Sequence, residues 1–535
     1  MSLTNTESIT TTAQEPQFLK NLAHAVNLHL RGDSRNALQV LEKTQEDETS
    51  APELHAARGR LQAELNAFRE AAESFTKLVR LQPENASAKY HLALCLQHQG
   101  LWGQAVDLFR QTIRSEKYRV NSLLGLGLSQ LHLKQAKEAL ESLESCLGSA
   151  PDLEPALIGK AVALQLQWEF ESASRLYERV LGKNPDSREC LINMIALAGQ
   201  RKDFTSAKTY AQRLIALEPD SEAGWEGLAA AAFGQEDYPE AVRASKKLTE
   251  IQPLRYENWY NLGVAWHGQK DSVRAEEAYL RALEIQPDGI QAQINLGVLY
   301  RDAGQLEPSR ETLQSVLLKA PDREDVRFQV ALLVEQEGSL SQAETLYGEL
   351  VAKNPSHENG WFRLGYLQLQ QGNYAGALEA FRSCIQLRQP WPEAELNLAM
   401  AAWHIGNLDM AEETLQRMLI RDANNVAAVR GMAAVALSRQ DLENALKFHD
   451  RLVVLGEESA EIFFNKALLA QKMGEDADAI KHYEASLGIN PDLTDALINL
   501  GHLLRGAGRE EEAHTCWQKA LDQKPELARG YFLQS

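Results

Sequence analysis

At 535 residues the chain is too long for one ordinary globular core, so it divides into several domains or forms a repeat array. Hydrophobic residues at 44% and charged residues at 24% exclude a disordered chain, and a formal charge of −19 disfavours a nucleic-acid partner, because most of the surface would repel phosphate. No run of Lys and Arg interrupts that pattern.

The chain opens on Met1 to Gln17, rich in Ser and Thr, without Lys or Arg and without the apolar stretch of a secretory signal or anchor; it reads as a disordered lead-in. No apolar segment further on approaches the roughly 20 residues that span a bilayer, so membrane insertion is not expected and a cytoplasmic location is. Cys95, Cys146, Cys190, Cys384 and Cys516 form no Cys-x-x-Cys pair, and read as reduced, mostly buried thiols.

From residue 18 the chain is periodic. Pro151, Pro185, Pro219, Pro253, Pro287, Pro321 and Pro355 stand 34 residues apart, and the same spacing reaches back to Pro83 and on to Pro491 and Pro525. With that proline at position 32, fifteen units begin at residues 18, 52, 86, 120, 154, 188, 222, 256, 290, 324, 358, 392, 426, 460 and 494, and a stub of 528–535 follows. Position 20 is Ala in every unit but the one carrying Ser309, and position 8 is Gly or Ala in every unit but the one carrying Ile195.

Each unit reads as two amphipathic helices. In unit 256–289 Trp259, Leu262, Gly263 and Trp266 recur at helical spacing, and Ala275, Tyr279 and Ala282 follow after a break. Gly32, Gly100, Gly304, Gly338, Gly372, Gly406, Gly474 and Gly508 fall in that break, where a helix end needs φ > 0. Asp152, Asp186, Asp220, Asp288, Asp322 and Asp492 follow the proline and are expected to cap the next helix. Gly263 and Ala275 are short enough for antiparallel helices to approach closely.

Trp259, Leu262, Gly263, Trp266, Ala275, Tyr279, Ala282 and Pro287 fall on the tetratricopeptide repeat pattern, so the chain resembles that family over residues 18 to 527, with Trp266 where the family usually has Tyr. The resemblance implies an all-α fold, an α-solenoid wound as a right-handed superhelix, with the first helix of each unit lining a concave channel. Units 188–221 and 426–459 depart from the pattern at Ile195, Ala211 and His449, and mark expected soft points. Tetratricopeptide arrays usually finish with an extra polar-faced helix; the short stub offers none, so the end near Trp517 and Leu521 is a candidate surface for self-association or a partner.

Position 6 holds Asn193, Asn261, Asn295, Asn397, Asn465 and Asn499, whose amides both donate and accept and so can grip the main chain of an extended peptide. This resembles the asparagine ladder in the repeat arm of O-GlcNAc transferases, although His91, Gly227, Gln329, Arg363 and Gly431 interrupt it. Position 5 holds Tyr90, Tyr260, Phe328, Phe362 and Phe464, with Tyr366 and Trp403 expected on the same channel; they are either anchors for a peptide or packing between neighbouring first helices. At position 2, Glu53, Glu189, Glu257, Asp325, Glu393, Glu461 and Asp495 form either an acidic rail or complements to the helix dipole.

No unit pairs Lys at position 5 with Asn at position 9, the clamp of chaperone-binding relatives. His91, Cys95, His98 and His132 offer a zinc set on spacing alone, but Cys95 is better explained as core, and no metal or cofactor is expected. The sequence has no Gly-rich phosphate loop, His-Glu-x-x-His or Gly-x-Ser-x-Gly motif, so no catalytic residue is assigned. The expected function is a non-catalytic scaffold for other proteins or peptides; the alternative is the substrate-recognition arm of a separately encoded glycosyltransferase.

Overall fold

Why each unit folds as it does is clearest in repeat 8, where the first helix runs Tyr256–Gly268 and the second Ser272–Ile285. Leu262 and Ala265 on the first and Ala275, Ala278, Tyr279 and Ala282 on the second are buried, so each helix turns one apolar stripe inward. The break between them needs a left-handed residue, supplied by Lys270 at φ 63°. Asp271 then starts the second helix by accepting from the Arg274 amide at 3.1 Å. That helix stops one residue short of the residue before Pro287, whose ring disfavours the α conformation behind it. The Trp259 indole donates to the carbonyl of Pro253 at 2.9 Å, tying repeat 8 to repeat 7, and Trp225 and Trp361 tie their repeats to Pro219 and Pro355 in the same way.

The computed structural model describes residues 15–45 and 51–525. Among these residues there are thirty α-helices and no strand, two helices to each repeat, so the chain is an all-α solenoid of helical hairpins. Its contacts divide it into two bodies, one ending at Ala292 and the other beginning at Gln293, inside the first helix of repeat 9, Ile290–Asp302. In the N-terminal body the first helix of repeat 5, Glu154–Leu166, packs on those of repeat 4, Arg119–His132, and repeat 6, Arg188–Gln200. In the C-terminal body the first helix of repeat 12, Pro392–His404, does the same with those of repeat 11, Glu358–Gln370, and repeat 13, Val426–Ser438. The first helices thus form a continuous layer over repeats 3 to 7 in the N-terminal body and over repeats 11 to 13 in the C-terminal one.

Position 20 is buried in all fifteen repeats, and Ser309 satisfies its hydroxyl by donating to the Gly297 carbonyl at 2.7 Å. The eight glycines of the interhelical break all have positive φ. Asn66, Lys134, Trp168, Lys202, Glu236, Lys270 and Gln440 adopt the same conformation in the other seven repeats, so the turn is imposed by the hairpin even where the side chain disfavours it.

One local expectation changes, and the structure adds detail at three others. The aspartates after the proline do not cap: the first helix begins two residues later, so Ser187 and Ser221 hold the N-cap while Asp152 and Asp220 stand one residue before their caps. Asp152 pairs instead with Arg179 and Lys183, each at 2.7 Å, and Asp220 with Lys247 at 3.0 Å, which fastens each repeat to the next. The short Gly263 and the buried Ala275 do permit a close helix approach, and a Cβ on Gly263 would lie 2.5 Å from the Tyr279 ring. Repeat 6 is no void: Ile195 at position 8 and the buried Ala211 at position 24 exchange volumes, and Gly227 makes room for Ile195. In repeat 13 buried His449 fills the aromatic position and bonds the Ala445 carbonyl through Nδ1 at 2.8 Å.

The first helix, Glu15–Leu30, starts inside the segment read as a lead-in; residues 1–14 of that segment and the stub 528–535 lie outside the described residues. Trp517, at position 24 of repeat 15, packs over Gly501 of its own repeat and is half-buried, as is Leu521. Cys95, Cys146, Cys190 and Cys384 are buried free thiols, and Cys516 is half-buried.

Candidate peptide-binding face

Positions 2, 5, 6, 9 and 12 of each repeat lie on its first helix. Position 5 is largely used up by packing. Tyr260 lies 6.3 Å from Tyr279, Phe328 5.8 Å from Tyr347, Phe362 5.8 Å from Phe381, Phe464 5.7 Å from Tyr483 and Tyr90 6.1 Å from Phe109, ring centre to ring centre. In each case the partner is position 24 of the same repeat. The outer edge of each ring then meets its surroundings: Phe362 stacks on Trp391 at 4.9 Å, Phe328 lies 5.1 Å from His357, and Tyr260 stacks on Tyr256 at 5.9 Å. These rings are half-buried, with the packing on the second helix of their own repeat, not only between first helices.

The position 6 amides differ from one another. Asn193 donates to the Glu189 carbonyl of its own helix at 2.8 Å, and Asn499 hydrogen-bonds the Tyr483 hydroxyl of the preceding repeat. Asn261 and Asn397 are half-buried and Asn465 exposed, and none of the three bonds another described residue. Asn295 is half-buried in the C-terminal body. At two interruptions the side chain is taken up internally: Gln329 accepts from Arg301, and Arg363 pairs with Glu335, which also accepts from the Tyr347 hydroxyl at 2.9 Å.

All seven carboxylates of position 2 lie in the first turn of a helix, where they complement its dipole. The histidines of the zinc set are drawn apart by stacking: His98 lies on Phe68 at 4.1 Å and His132 on Trp102 at 3.9 Å. Burial pushes the Cys95 thiol up to about 11, and among the described residues no cluster of His, Cys, Asp or Glu is placed to hold a metal.

Among the described residues, grooves open on first helices in both bodies. In the N-terminal body a groove of about 800 Å³ crosses repeats 4 to 6, floored by Leu128, Leu131, Ile158 and Val162, with Asn193 at one end. In the C-terminal body a groove of about 390 Å³ lies between repeats 12 and 13, lined by Leu396, Met400, Trp403, Ala434 and Val435, with Arg430 at its edge. Met400 and Trp403 are 40% and 37% exposed, and the Trp403 indole donates to Ser438 at 2.8 Å. Asn193 lines the first of these grooves and Trp403 the second. Position 9, where the sequence offers Tyr366 to the channel, supplies the apolar lining here as Leu128, Val162, Met400 and Ala434.

Models described as tetratricopeptide repeat match residues 56–119, 195–247, 233–290 and 331–395 in one case, and 121–152, 291–323, 368–437 and 460–493 in others. A TPR repeat-containing protein of Methanocaldococcus jannaschii is 26% identical over 156 residues, 27% of either chain. The human protein O-mannosyl-transferase TMTC1 is 23% identical over 157 residues, 29% of this chain and 18% of that one. The match therefore spans under a third of the length of these curated relatives. A chain in the crystal structure of the APC/C hetero-tetramer Cut9-Hcn1 aligns with 90% of this chain and 96% of its own at 14% identity, with a TM-score of 0.34. Among the described residues no helix is long and apolar enough to cross a membrane. With more than half of its length matched by such models and each repeat folded as a helical hairpin in one 34-residue period, the chain belongs to the tetratricopeptide repeat family.

Proposed function

We propose that the chain is a non-catalytic scaffold or adaptor that holds partner proteins, or extended segments of them, along its first-helix layer. The observation that carries this reading is the apolar floor of the two grooves, above all Met400 and Trp403, which stay exposed beside a core already closed by other residues. Asn261 in the N-terminal body and Asn397 in the C-terminal body, each on a first helix and with no bond to another described residue, offer amides to a peptide main chain.

The test is a pull-down with the intact chain and with Met400→Asp, read by mass spectrometry. Proteins retained by the parent chain should be lost from Met400→Asp while its melting curve is unchanged; retention of every partner by that variant refutes the reading. The similarity to an O-mannosyl-transferase favours a second reading, a substrate-recognition arm serving a separately encoded glycosyltransferase. A stoichiometric transferase among the retained proteins supports the arm, and its absence leaves the scaffold.

A further inference from the structure

The two grooves differ in charge. The lining of the C-terminal one has Arg430 as its charged residue, whereas the N-terminal groove is lined by the carboxylates of Glu154 and Glu189 and by no Lys or Arg. Glu154 accepts from the Asn184 amide at 3.2 Å and the Ser187 hydroxyl at 2.5 Å, neutral donors that leave its charge uncompensated. Glu189 is exposed, and neither carboxylate forms an ion pair with a described residue. Lys160 and Arg188, the nearest cations in sequence, are engaged elsewhere, Lys160 with Glu144 at 2.9 Å and Arg188 with Glu218 at 3.0 Å.

The groove also continues beyond repeat 4. A second cavity of about 620 Å³ shares Leu128 and His132 with it and reaches Gln97, His98 and Trp102 of repeat 3. The stacking of His132 on Trp102 makes a flat aromatic wall where the two cavities meet. The path thus follows the first helices from repeat 3 to repeat 6, apolar along its floor and negative toward repeats 5 and 6.

We infer that this path binds an extended peptide in which an apolar side chain is flanked by Lys or Arg. The apolar residue covers Ile158 and Val162, and the basic flank supplies the counter-charge that Glu154 and Glu189 lack. An acidic peptide or a nucleic-acid strand would place negative charge beside both carboxylates. The inference rests on the scaffold reading and specifies the partner of one groove.

The experiment is fluorescence anisotropy of the full chain with three short fluorescein-labelled peptides of one extended Gly/Ser background: Leu flanked by Lys, Leu flanked by Glu, and Ser flanked by Lys. The Lys-flanked Leu peptide should bind at least about tenfold more tightly than the other two, and added salt should weaken it. Glu189→Lys, at an exposed position, should lose about tenfold or more in affinity while its melting falls only by the small helix-dipole contribution; Glu189→Gln should show a smaller affinity loss of the same sign. Equal binding of the Glu-flanked or the Ser-centred peptide overturns the inference, as does full affinity in both Glu189 variants. If those variants bind normally while Met400→Asp loses its protein partners, this inference fails and the scaffold stands; if Met400→Asp also keeps every partner, both fall.

Discussion

Replacing Gly263 by Ala tests the packing of the repeat at the point where the two helices come closest. In an unobstructed helix the change stabilises by about 0.8–1.0 kcal/mol, because Gly is the poorer helix former. At Gly263 the new Cβ would lie 2.5 Å from Cδ1 and 2.6 Å from Cε1 of Tyr279. That ring is wholly buried and cannot swing away without disturbing the core around it. Overpacking of this kind costs about 1–3 kcal/mol, and two contacts this short belong toward the upper end. After the propensity gain, the net loss should be about 1–2 kcal/mol. Gly182→Ala is the control: it lies inside the second helix of repeat 5, Phe170–Lys183, with no atom within 4 Å of its added Cβ, and should gain about 0.5–1 kcal/mol. Because each repeat contacts mainly its neighbours, unfolding need not be two-state, so the readout is hydrogen exchange of peptides from residues 256–289 and 170–183 alongside urea melts. If Gly263→Ala stabilises its repeat as Gly182→Ala does, the close contact with Tyr279 is wrong.

The left-handed turn predicts a sign reversal between repeats: Lys134→Gly at φ 60° should stabilise by about 0.5–1 kcal/mol, and Gly100→Ala at φ 74° should destabilise by about 1 kcal/mol, measured by urea midpoints; equal signs would refute the shared turn. Acid should loosen the second helices. The carboxyls of Asp203, Asp237 and Asp441 are held below the usual value by bonds from Ser206, Lys208 and Asn444 respectively, so the unfolded chain takes up protons first as pH falls. Their contribution should be complete above about pH 4 and be lost below it, with a shallower acid slope in Asp441→Asn, whose amide still caps; a slope of opposite sign in urea midpoints between pH 7 and 3 would refute this.

The sequence by itself determined the period, the two helices per repeat, the small residue at position 20 and the left-handed break between helices. These follow from short-range rules: 3.6-residue periodicity marks the buried stripe, and a turn of fixed length demands a fixed backbone conformation. The tertiary structure decided what lies across each gap. Asp152 could be read as a cap from its neighbours in sequence, but the helix begins beyond it, and Arg179 and Lys183 of the next hairpin claim its carboxylate. Phe362 and Tyr260 could be read as anchors until the rings of position 24 took one face of each. Ile195 looked like a defect because its compensation is divided between Ala211 and Gly227, which are distant in sequence and adjacent only after folding. Position 9 makes the same point: an apolar residue on a helix declares that it avoids water, and only the folded chain shows that Leu128, Val162 and Met400 line open grooves.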